Sequence, residues 1–158
     1  KEGGAHAVKL EGGQRSAPAV EAITSADIPV MGHVGLTPQS VHRLGGFRVQ
    51  RDASRLLDDA LAIEQAGAFA LVVECVPVDL AEQIRAAVKI PTIGIGAGAG
   101  CDGQVLVTHD MLGLYGDLQP RFVKQFADIG ASITDAVGQY CREVREGKFP
   151  AAEHSFRS

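Results

Sequence analysis

Short apolar runs recur along the chain, separated by segments in which apolar residues are spaced three or four positions apart. Runs of this length bounded by Gly and Pro are typical of strands, and the spacing between them is typical of amphipathic helices. The predicted strands cover 7–11, 28–34, 68–73, 90–96 and 104–108. The predicted helices cover 15–26, 55–66, 79–88, a segment that begins at Pro120, and 131–146.

Some of the helices carry further predictions. Asp79 and Glu82 have the spacing of an N-cap for the third helix. The two C-terminal helices each present one apolar stripe, which we expect to be buried. These stripes comprise Phe122, Val123, Phe126 and Ile129 in the first, and Ile133, Val137, Tyr140, Cys141 and Val144 in the second.

Alternation of strands and helices predicts an α/β fold with a parallel sheet and outer helices. Five βα units of roughly 30 residues use the whole chain as one domain, residues 1–158. A complete (β/α)8 barrel takes roughly 250 residues, so the pattern predicts its last five units, and an open parallel sheet fits equally well. Because the chain starts as if inside a βα unit, we expect an N-terminal part of the natural protein to be absent.

Composition narrows the class of protein. The 158 residues have a formal net charge of −4 and no basic stripe, which argues against a nucleic-acid partner. No apolar run approaches the roughly 20 residues of a membrane span. The three cysteines, Cys75, Cys101 and Cys141, are widely spaced and odd in number. This favours reduced thiols in a cytoplasmic protein.

Chemically active side chains follow the predicted strands at their carboxyl ends. Lys9 and Glu11 close the first strand, His33 the second, and Glu74 the buried run 68–73. Because the exits of parallel strands share one edge, we expect these side chains to converge. Such a set can remove a proton from a carbon next to a carbonyl. A divalent metal held by carboxylate would stabilise the enolate, and Lys9 would hold a substrate carboxylate.

Each of these residues has a competing structural interpretation. Glu74 fits a solvated glutamate at a strand end, Lys9 and Glu11 fit a salt bridge on one face, and His33 fits a hydrogen-bonded core histidine.

Three further features also have both a functional and a structural interpretation. Gly94 to Gly98 fit a phosphate cradle or close backbone packing. The arginines between 43 and 55 fit an anion site or a solvated loop, and His109-Asp110 fit the site or a helix cap.

Several blocks of the chain form a specific pattern that covers essentially its whole length. The blocks are VKLEGG at 8–13, PVMGHVGLTPQ at 29–39, GGFRVQ at 45–50, ECVP at 74–77, IGIGAG at 93–98, CDGQVLV at 101–107 and EHSF at 153–156. In this order they resemble the ketopantoate hydroxymethyltransferase family, and together they are highly specific.

The resemblance implies a (β/α)8 barrel of the phosphoenolpyruvate/pyruvate superfamily and a cytoplasmic homo-oligomer, decameric in bacterial members. It implies hydroxymethyl transfer from 5,10-methylenetetrahydrofolate to 3-methyl-2-oxobutanoate, with Mg²⁺ chelating the keto acid, to give 2-dehydropantoate for pantothenate synthesis. By motif, Glu74 is the catalytic base, Lys9 and His33 bind the substrate, and Glu11 belongs to the metal site.

The chain also departs from the family pattern. Two metal-binding aspartates, which the family carries on early strands, have no counterpart in this sequence, and the segment after Gln50 is shorter than usual. Two alternatives therefore stay open. One is another metal-dependent enzyme of the same superfamily that makes or breaks carbon–carbon bonds. The other is an inactive fragment that only associates with other chains.

Overall fold

The computed structural model describes residues 2–37, 49–115 and 120–156. The chain forms two compact units, Lys1–Val105 and Leu106–Ser158. In the first unit the strands are β1 Val8–Glu11, β2 Val30–Gly35, β3 Ala70–Glu74, β4 Thr92–Ile95 and β5 Gly103–Gln104, and the helices are α1 Ala17–Thr24, α2 Ala53–Gln65 and α3 Val78–Ala87. The second unit contains α4 Thr108–Met111, α5 Ile129–Arg145 and a 3₁₀ turn at Ala152–His154.

The five strands form one parallel sheet in the order β1-β2-β3-β4-β5. The predicted α/β class with five parallel strands is therefore confirmed. Crossovers between parallel strands are almost always right-handed, so an order that never reverses places the connecting helices α1, α2 and α3 on the same face. A doubly wound sheet reverses direction at a switch point. The observed order is that of consecutive strands in a β/α barrel.

The helix-covered face of the sheet carries the hydrophobic core. Strand residues at alternate positions point to this face and meet apolar residues of α2 and α3. Each fully buried Leu or Ile contributes about 1.5–3 kcal/mol relative to its exposed state. The core includes Val30, Val34, Leu71 and Val73 from the strands, and Leu56, Ile63, Leu80 and Ile84 from the helices.

Helix α2 packs directly on β2 because Gly32 has no side chain. A Cβ at Gly32 would lie 2.2 Å from Cγ2 of Ile63. The close approach fixes β2 against the core, and the residues on either side of Gly32 in sequence then face the opposite side of the sheet. His33 is one of them.

The predicted bounds of the fifth strand, 104–108, were wrong. Strand β5 has only two residues and follows β4 after a short connection, 96–102, that contains no helix. Val105 and Val107, expected inside the strand, are about half exposed. Apolar β-branched residues form a strand only where a neighbour pairs with them. The paired residues of β4 and β5 end at Gly94 and Gln104, and beyond them the amide of Val105 bonds to the carbonyl of Gly94 at 3.0 Å.

The expectations for the second unit were also partly wrong. The segment that begins at Pro120 is not helical, because the amide of Phe126 bonds to the carbonyl of Met111 and that of Ile129 to Leu112. Of its apolar stripe only Val123 is buried. Helix α5 forms close to the predicted bounds, but its predicted inward stripe is exposed. Helical spacing marks which residues share a face and does not specify what covers that face. The exposed members are Ile133, Val137, Tyr140 and Val144.

The predicted cap of α3 was wrong as well. Pro77 occupies the N-cap position and the helix begins at Val78, without a side-chain cap bond. Asp79 lies within the first turn, where its negative charge is favourable to the helix dipole. Pro77, the N-cap of α3, follows Glu74, the last residue of β3, by three residues.

Asp102 ties the connection 96–102 to the rest of the first unit. Its Oδ2 accepts hydrogen bonds from the amide and the hydroxyl of Thr92, both at 2.9 Å, and its Oδ1 accepts one from Nε of Arg85 at 3.0 Å. The hydrogen bonds from Thr92, followed by that from Arg85, hold the pKa of Asp102 below its ordinary value of 3.8. Thr92 is fully buried, so this carboxylate satisfies its hydroxyl and the amide that begins β4.

We expect Asp102→Asn to lower the unfolding temperature at neutral pH by about 2–4 °C. Because the folded-state pKa of Asp102 is depressed, its stabilisation is complete above the ordinary pKa of 3.8 and is lost as pH falls through the folded-state value. Thermal unfolding followed by circular dichroism, between about pH 3 and pH 6, should therefore show a flatter pH dependence for the variant. Asp58→Asn, at an exposed position of α2, is the control, and parallel curves for wild type and Asp102→Asn would contradict the assignment.

Candidate functional site

The face of the sheet opposite the helices carries the four side chains predicted to form the site. Lys9 and Glu11 are two residues apart in β1 and so share this face. Glu11 is paired in register with His33 of β2, and Glu74 is the last residue of β3, paired with Gly35. The convergence expected from the sequence is therefore present. All four residues lie within the first unit, at the carboxyl ends of adjacent strands.

His33 is at the centre of the cluster. Its Nε2 lies 3.1 Å from Oε2 of Glu74 and 3.1 Å from the carbonyl oxygen of Leu36. Its Nδ1 lies 3.3 Å from Nζ of Lys9 and 3.7 Å from Oε1 of Glu11. The imidazole is only 2% exposed. It therefore connects the base candidate on β3 to the charged pair on β1.

The surroundings of His33 fix its tautomer. Nε2 faces two acceptors, a carboxylate and a carbonyl, so it carries the hydrogen. Nδ1 faces the ammonium of Lys9, which can only donate, so Nδ1 accepts. A second proton on Nδ1 would set two donors against each other at 3.3 Å. The hydrogen-bond geometry therefore assigns the tautomer in which Nε2 donates to the carbonyl of Leu36, beside Glu74, and Nδ1 accepts from Lys9.

Glu11 has one engaged and one unengaged oxygen. Oε1 lies 3.5 Å from Nζ of Lys9. Oε2 is buried and has no hydrogen-bond partner among the described residues. An unpaired buried carboxylate oxygen is costly, and such atoms usually have a ligand. The ammonium compensates only one of the two carboxylates, Glu11 and Glu74, so two negative charges and one positive charge leave the cluster at −1.

A complete metal site is not formed by the described part of the chain. No group of three or more His, Cys, Asp or Glu side chains in it is arranged to hold an ion. The donor chemistry of Glu11 nevertheless fits Mg²⁺, which prefers carboxylate oxygens and commonly takes only one or two from protein. Glu11 Oε2 is the atom that would contact the ion.

The solvent exposure of the four side chains differs, as expected for a ligand-binding site that opens to solvent on one side. The Lys9 side chain is 46% exposed, whereas those of Glu11 and Glu74 are 19% and 18% exposed. Lys9 is thus open to a ligand while the carboxylates are partly withdrawn from water. The salt-bridge interpretation of Lys9 and Glu11 and the core interpretation of His33 are both geometrically correct. They do not exclude a functional role.

The glycine-rich segment after β4 is explained by close packing. A Cβ at Gly98, where φ is +75°, would lie 2.7 Å from Cγ2 of Val78, and one at Gly100 would lie 2.5 Å from Cγ of Glu82. Gln104 also donates to the carbonyl of Gly98 at 2.9 Å. These contacts bring the segment against α3. Phosphate binding by this segment stays a prediction.

The other candidates are placed as follows. Arg55 forms an i,i+4 ion pair with Asp59 at 3.5 Å, so it is engaged within α2. Arg43 and Arg48 lie outside the described residues. His109 and Asp110 lie within α4 of the second unit. The described residues include no helix long and apolar enough to cross a membrane.

Sequence reasoning missed the backbone around Glu74. The amide of Leu36 donates to the carbonyl of Glu74, the amide of Cys75 to Ile95, and the amide of Gln50 to the carbonyl of Cys75, at 2.8–2.9 Å. Main-chain groups are identical at every residue, so no sequence signal marks these bonds. The glycine at Gly35 was the only available hint, because glycine after an apolar run often marks close backbone approach.

Comparison with known proteins identifies the family of the chain. The family model for ketopantoate hydroxymethyltransferase matches residues 1–152. The chain belongs to the ketopantoate hydroxymethyltransferase family. Proteins called 3-methyl-2-oxobutanoate hydroxymethyltransferase are similar over 99% of the chain, with 62% identity in Nitratidesulfovibrio vulgaris strain DP4, 58% in Pelobacter propionicus and 59% in Moorella thermoacetica. The chain spans 52%, 59% and 60% of these relatives, a little over half of their length.

We expect NMR of ¹⁵N-labelled protein to show an Nε2-protonated, neutral His33, with Nδ1 unprotonated, in this member of the ketopantoate hydroxymethyltransferase family. Lys9→Met should shift the Nδ1 resonance by removing its donor and should leave the tautomer unchanged, because Glu74 and Leu36 still accept from Nε2. The exposed His6 provides a reference for an unconstrained ring. A predominantly Nδ1-protonated His33 would show that the hydrogen-bond assignment is wrong.

Proposed function

We propose that the complete natural protein transfers a hydroxymethyl group to 3-methyl-2-oxobutanoate, giving 2-dehydropantoate. The observation that supports this most strongly is the convergence of Lys9, Glu11, His33 and Glu74 at one sheet edge. These residue types match the needs of the reaction. It requires a base for a carbon acid, a cation for a carboxylate, and a way to stabilise an enolate.

In this proposal Glu74 removes the proton from C3 of the keto acid. Its Oε2 is held by His33 at 3.1 Å, so this oxygen orients the carboxylate. The other oxygen, Oε1, is the one that we assign to take the proton. Because the carboxylate is only 18% exposed, water competes weakly for it, which favours proton transfer.

Lys9 and His33 form the substrate-binding part of the proposed site. The Lys9 side chain is the most exposed of the four, and in this proposal its ammonium holds the substrate carboxylate. His33 orients both neighbours, since its Nε2 contacts Glu74 at 3.1 Å and its Nδ1 accepts from Lys9. A buried, fully hydrogen-bonded imidazole has little rotational freedom, so it holds base and cation at a fixed separation.

Magnesium is the proposed metal and Glu11 its ligand in this chain. When bound, Mg²⁺ would supply Lewis-acid stabilisation of the enolate oxygen. Glu11 Oε2, buried and unpartnered among the described residues, supports this role.

The one-carbon donor in the proposal is 5,10-methylenetetrahydrofolate, which rests on the family resemblance. So do the (β/α)8 barrel of the complete protein, its cytoplasmic location and its decameric homo-oligomer. Partners of the proposed enzyme are small molecules, without nucleic acid or membrane.

Glu74→Gln in the complete natural protein is expected to slow deuterium exchange at C3 of 3-methyl-2-oxobutanoate by about 10²–10⁴-fold, the usual contribution of a general base. Proton NMR in D₂O with Mg²⁺ and without folate measures the exchange. Glutamine is nearly isosteric and keeps an acceptor for His33, so keto acid affinity measured by calorimetry should change little. Glu21→Gln, at an exposed position of α1, is the matched control. Exchange at the wild-type rate in Glu74→Gln would remove Glu74 as the base.

Glu11→Gln is expected to weaken Mg²⁺ binding by at least about tenfold, because a neutral amide replaces the carboxylate. Isothermal titration of Mg²⁺ into the protein with keto acid present measures this without relying on turnover. Glu21→Gln again provides the control. Unchanged Mg²⁺ affinity would assign Glu11 to the Lys9 salt bridge alone.

An inactive fragment is the alternative, favoured by the share of the relatives that the chain spans, 52–60%. Intact-mass spectrometry of the natural protein separates the two. A mass near 16.6 kDa combined with no C3 exchange would support the fragment. A larger mass with exchange would support the enzyme.

A further inference from the structure

We infer that Cys75 and Gly35 are positioning residues for Glu74, and that they act through their backbone conformation. The inference rests on the proposed role of Glu74 as base. Neither side chain is assigned a contact with the reacting atoms. What the two residues supply is a turn that ends β3 abruptly and a gap into which the main chain of Glu74 fits.

Cys75 adopts a backbone conformation that is unusual for its residue type. Its φ is +50°, and among the described residues only one other non-glycine residue, Asp27 at +57°, has a positive value. Aspartate tolerates the left-handed region comparatively well, whereas cysteine has no such compensation. Strained conformations of this kind persist where the surroundings enforce them, and they concentrate at functional sites.

Hydrogen bonds on both sides enforce the conformation of Cys75. Its amide donates to the carbonyl of Ile95 at the end of β4, at 2.9 Å. Its carbonyl accepts from the amide of Gln50 at 2.8 Å. The peptide group before it is held as well, because the carbonyl of Glu74 accepts from Leu36 at 2.9 Å. Three separate segments therefore fix the backbone immediately around the base.

The turn at Cys75 also changes the side of the sheet to which the following residue points. In a continued strand, Val76 would share the face of Glu74, because side chains alternate. Val76 is instead 2% exposed within the core that contains Leu71 and Val73, on the helix side. The left-handed residue thus ends the strand with the carboxylate of Glu74 on one face and an apolar anchor on the other.

Gly35 supplies the gap beside Glu74. Its φ is +99°, and a Cβ there would lie 2.1 Å from the carbonyl oxygen of Glu74. A methyl group cannot occupy that space, so any side chain at 35 must push β2 and β3 apart. The same displacement would move Leu36, whose carbonyl accepts from His33 and whose amide donates to Glu74. Base and imidazole would then be displaced together.

The Cys75 thiol itself is an inert group. Burial, with a smaller contribution from the negative charge of Glu74, raises its pKa to about 11. The sulfur is therefore uncharged at neutral pH and is neither a nucleophile nor a metal ligand in its resting form. Substitutions at position 75 can therefore distinguish the effect of losing the thiol from the effect of a changed preference for positive φ.

The test compares Cys75→Gly, Cys75→Ala and Cys75→Val in the complete natural protein. Glycine adopts positive φ freely, alanine less readily, and valine, which is β-branched, least of all. The rate at which the C3 proton of 3-methyl-2-oxobutanoate exchanges for deuterium, with Mg²⁺ present, should stay within about threefold of wild type for Cys75→Gly. The rate should be lower for Cys75→Ala. It should fall by about tenfold to a hundredfold for Val, since small displacements of a catalytic group have effects of this size. Keto acid affinity should change little throughout.

Asp27→Val is the matched control. It also places a β-branched valine at a positive φ, +57°, but on the exposed connection after α1. It should lower the unfolding temperature without slowing exchange. The control for Gly35→Ala is Gly67→Ala. The φ of Gly67, +94°, is close to the +99° of Gly35, but a Cβ at Gly67 would lie 3.1 Å from the side chain of Thr24 and would not overlap the backbone. Gly35→Ala should slow exchange, and Gly67→Ala should not.

The outcomes distinguish this inference from the proposed function. No exchange in the wild-type protein overturns the proposed function. Exchange in the wild type, with equal rates in Gly, Ala and Val variants, overturns the positioning role while leaving Glu74 as base. Equal loss in the Gly and Val variants also overturns it, because the side chain would then be what matters. If the Val variant does not fold, equal rates for Gly and Ala overturn the positioning role, and a slower Ala variant supports it.

Discussion

The close approach of the buried imidazole of His33 to the carboxylate of Glu74 is the interaction on which the site depends. It joins two strands at the point where their register ends, across 3.1 Å. An imidazole that is 2% exposed must satisfy both ring nitrogens within the protein. Leu36 and Glu74 satisfy one, and Lys9 satisfies the other. Any change in strand separation would leave one of these groups unpaired, at a cost of about 1–3 kcal/mol.

The core on the helix side of the sheet holds the strands in that register. Leu71 and Val73 alternate with Val72 and Glu74 along β3, so the residues that anchor the strand also determine the direction of the carboxylate. Gly32 has the same effect in β2, where close packing against Ile63 leaves His33 facing the opposite side. Packing on the apolar face thus stabilises the sheet. The same packing also fixes the directions in which His33 and Glu74 point on the polar face. Function at this edge is coupled to packing on the other side.

Electrostatics then divides the roles within the cluster. Lys9, with two carboxylates nearby, offsets one negative charge and leaves the other uncompensated. One oxygen of Glu11 is buried and has no hydrogen-bond partner in the described part of the chain, so a cation beside it would be favourable. At the far end of β4 the carboxylate of Asp102 is fully hydrogen-bonded, which lowers its pKa and gives it a structural role. The contrast between the two carboxylates comes from the partners available to each, since the residue types are alike.

Much of this protein was determined by local sequence. Strand runs, helical spacing and glycine positions were enough for β1 to β4, for α1 to α3 and for the approximate bounds of α5, because each depends on residues near in sequence. The four site residues were also accessible, since residues at the ends of parallel strands meet whatever the details of packing. The family resemblance added the chemistry that residue types alone left open.

Tertiary structure decided the remainder. The non-reversing strand order, the shortness of β5, the non-helical segment after Pro120 and the exposure of the α5 stripe depend on which partners each segment meets. Among site features, the tautomer of His33 and the left-handed turn at Cys75 arise from main-chain groups of Leu36, Gln50 and Ile95. Main-chain groups are the same at every residue. Only the fold brings particular ones together, so the sequence could point to Glu74 as a candidate base but could not show how its backbone is held.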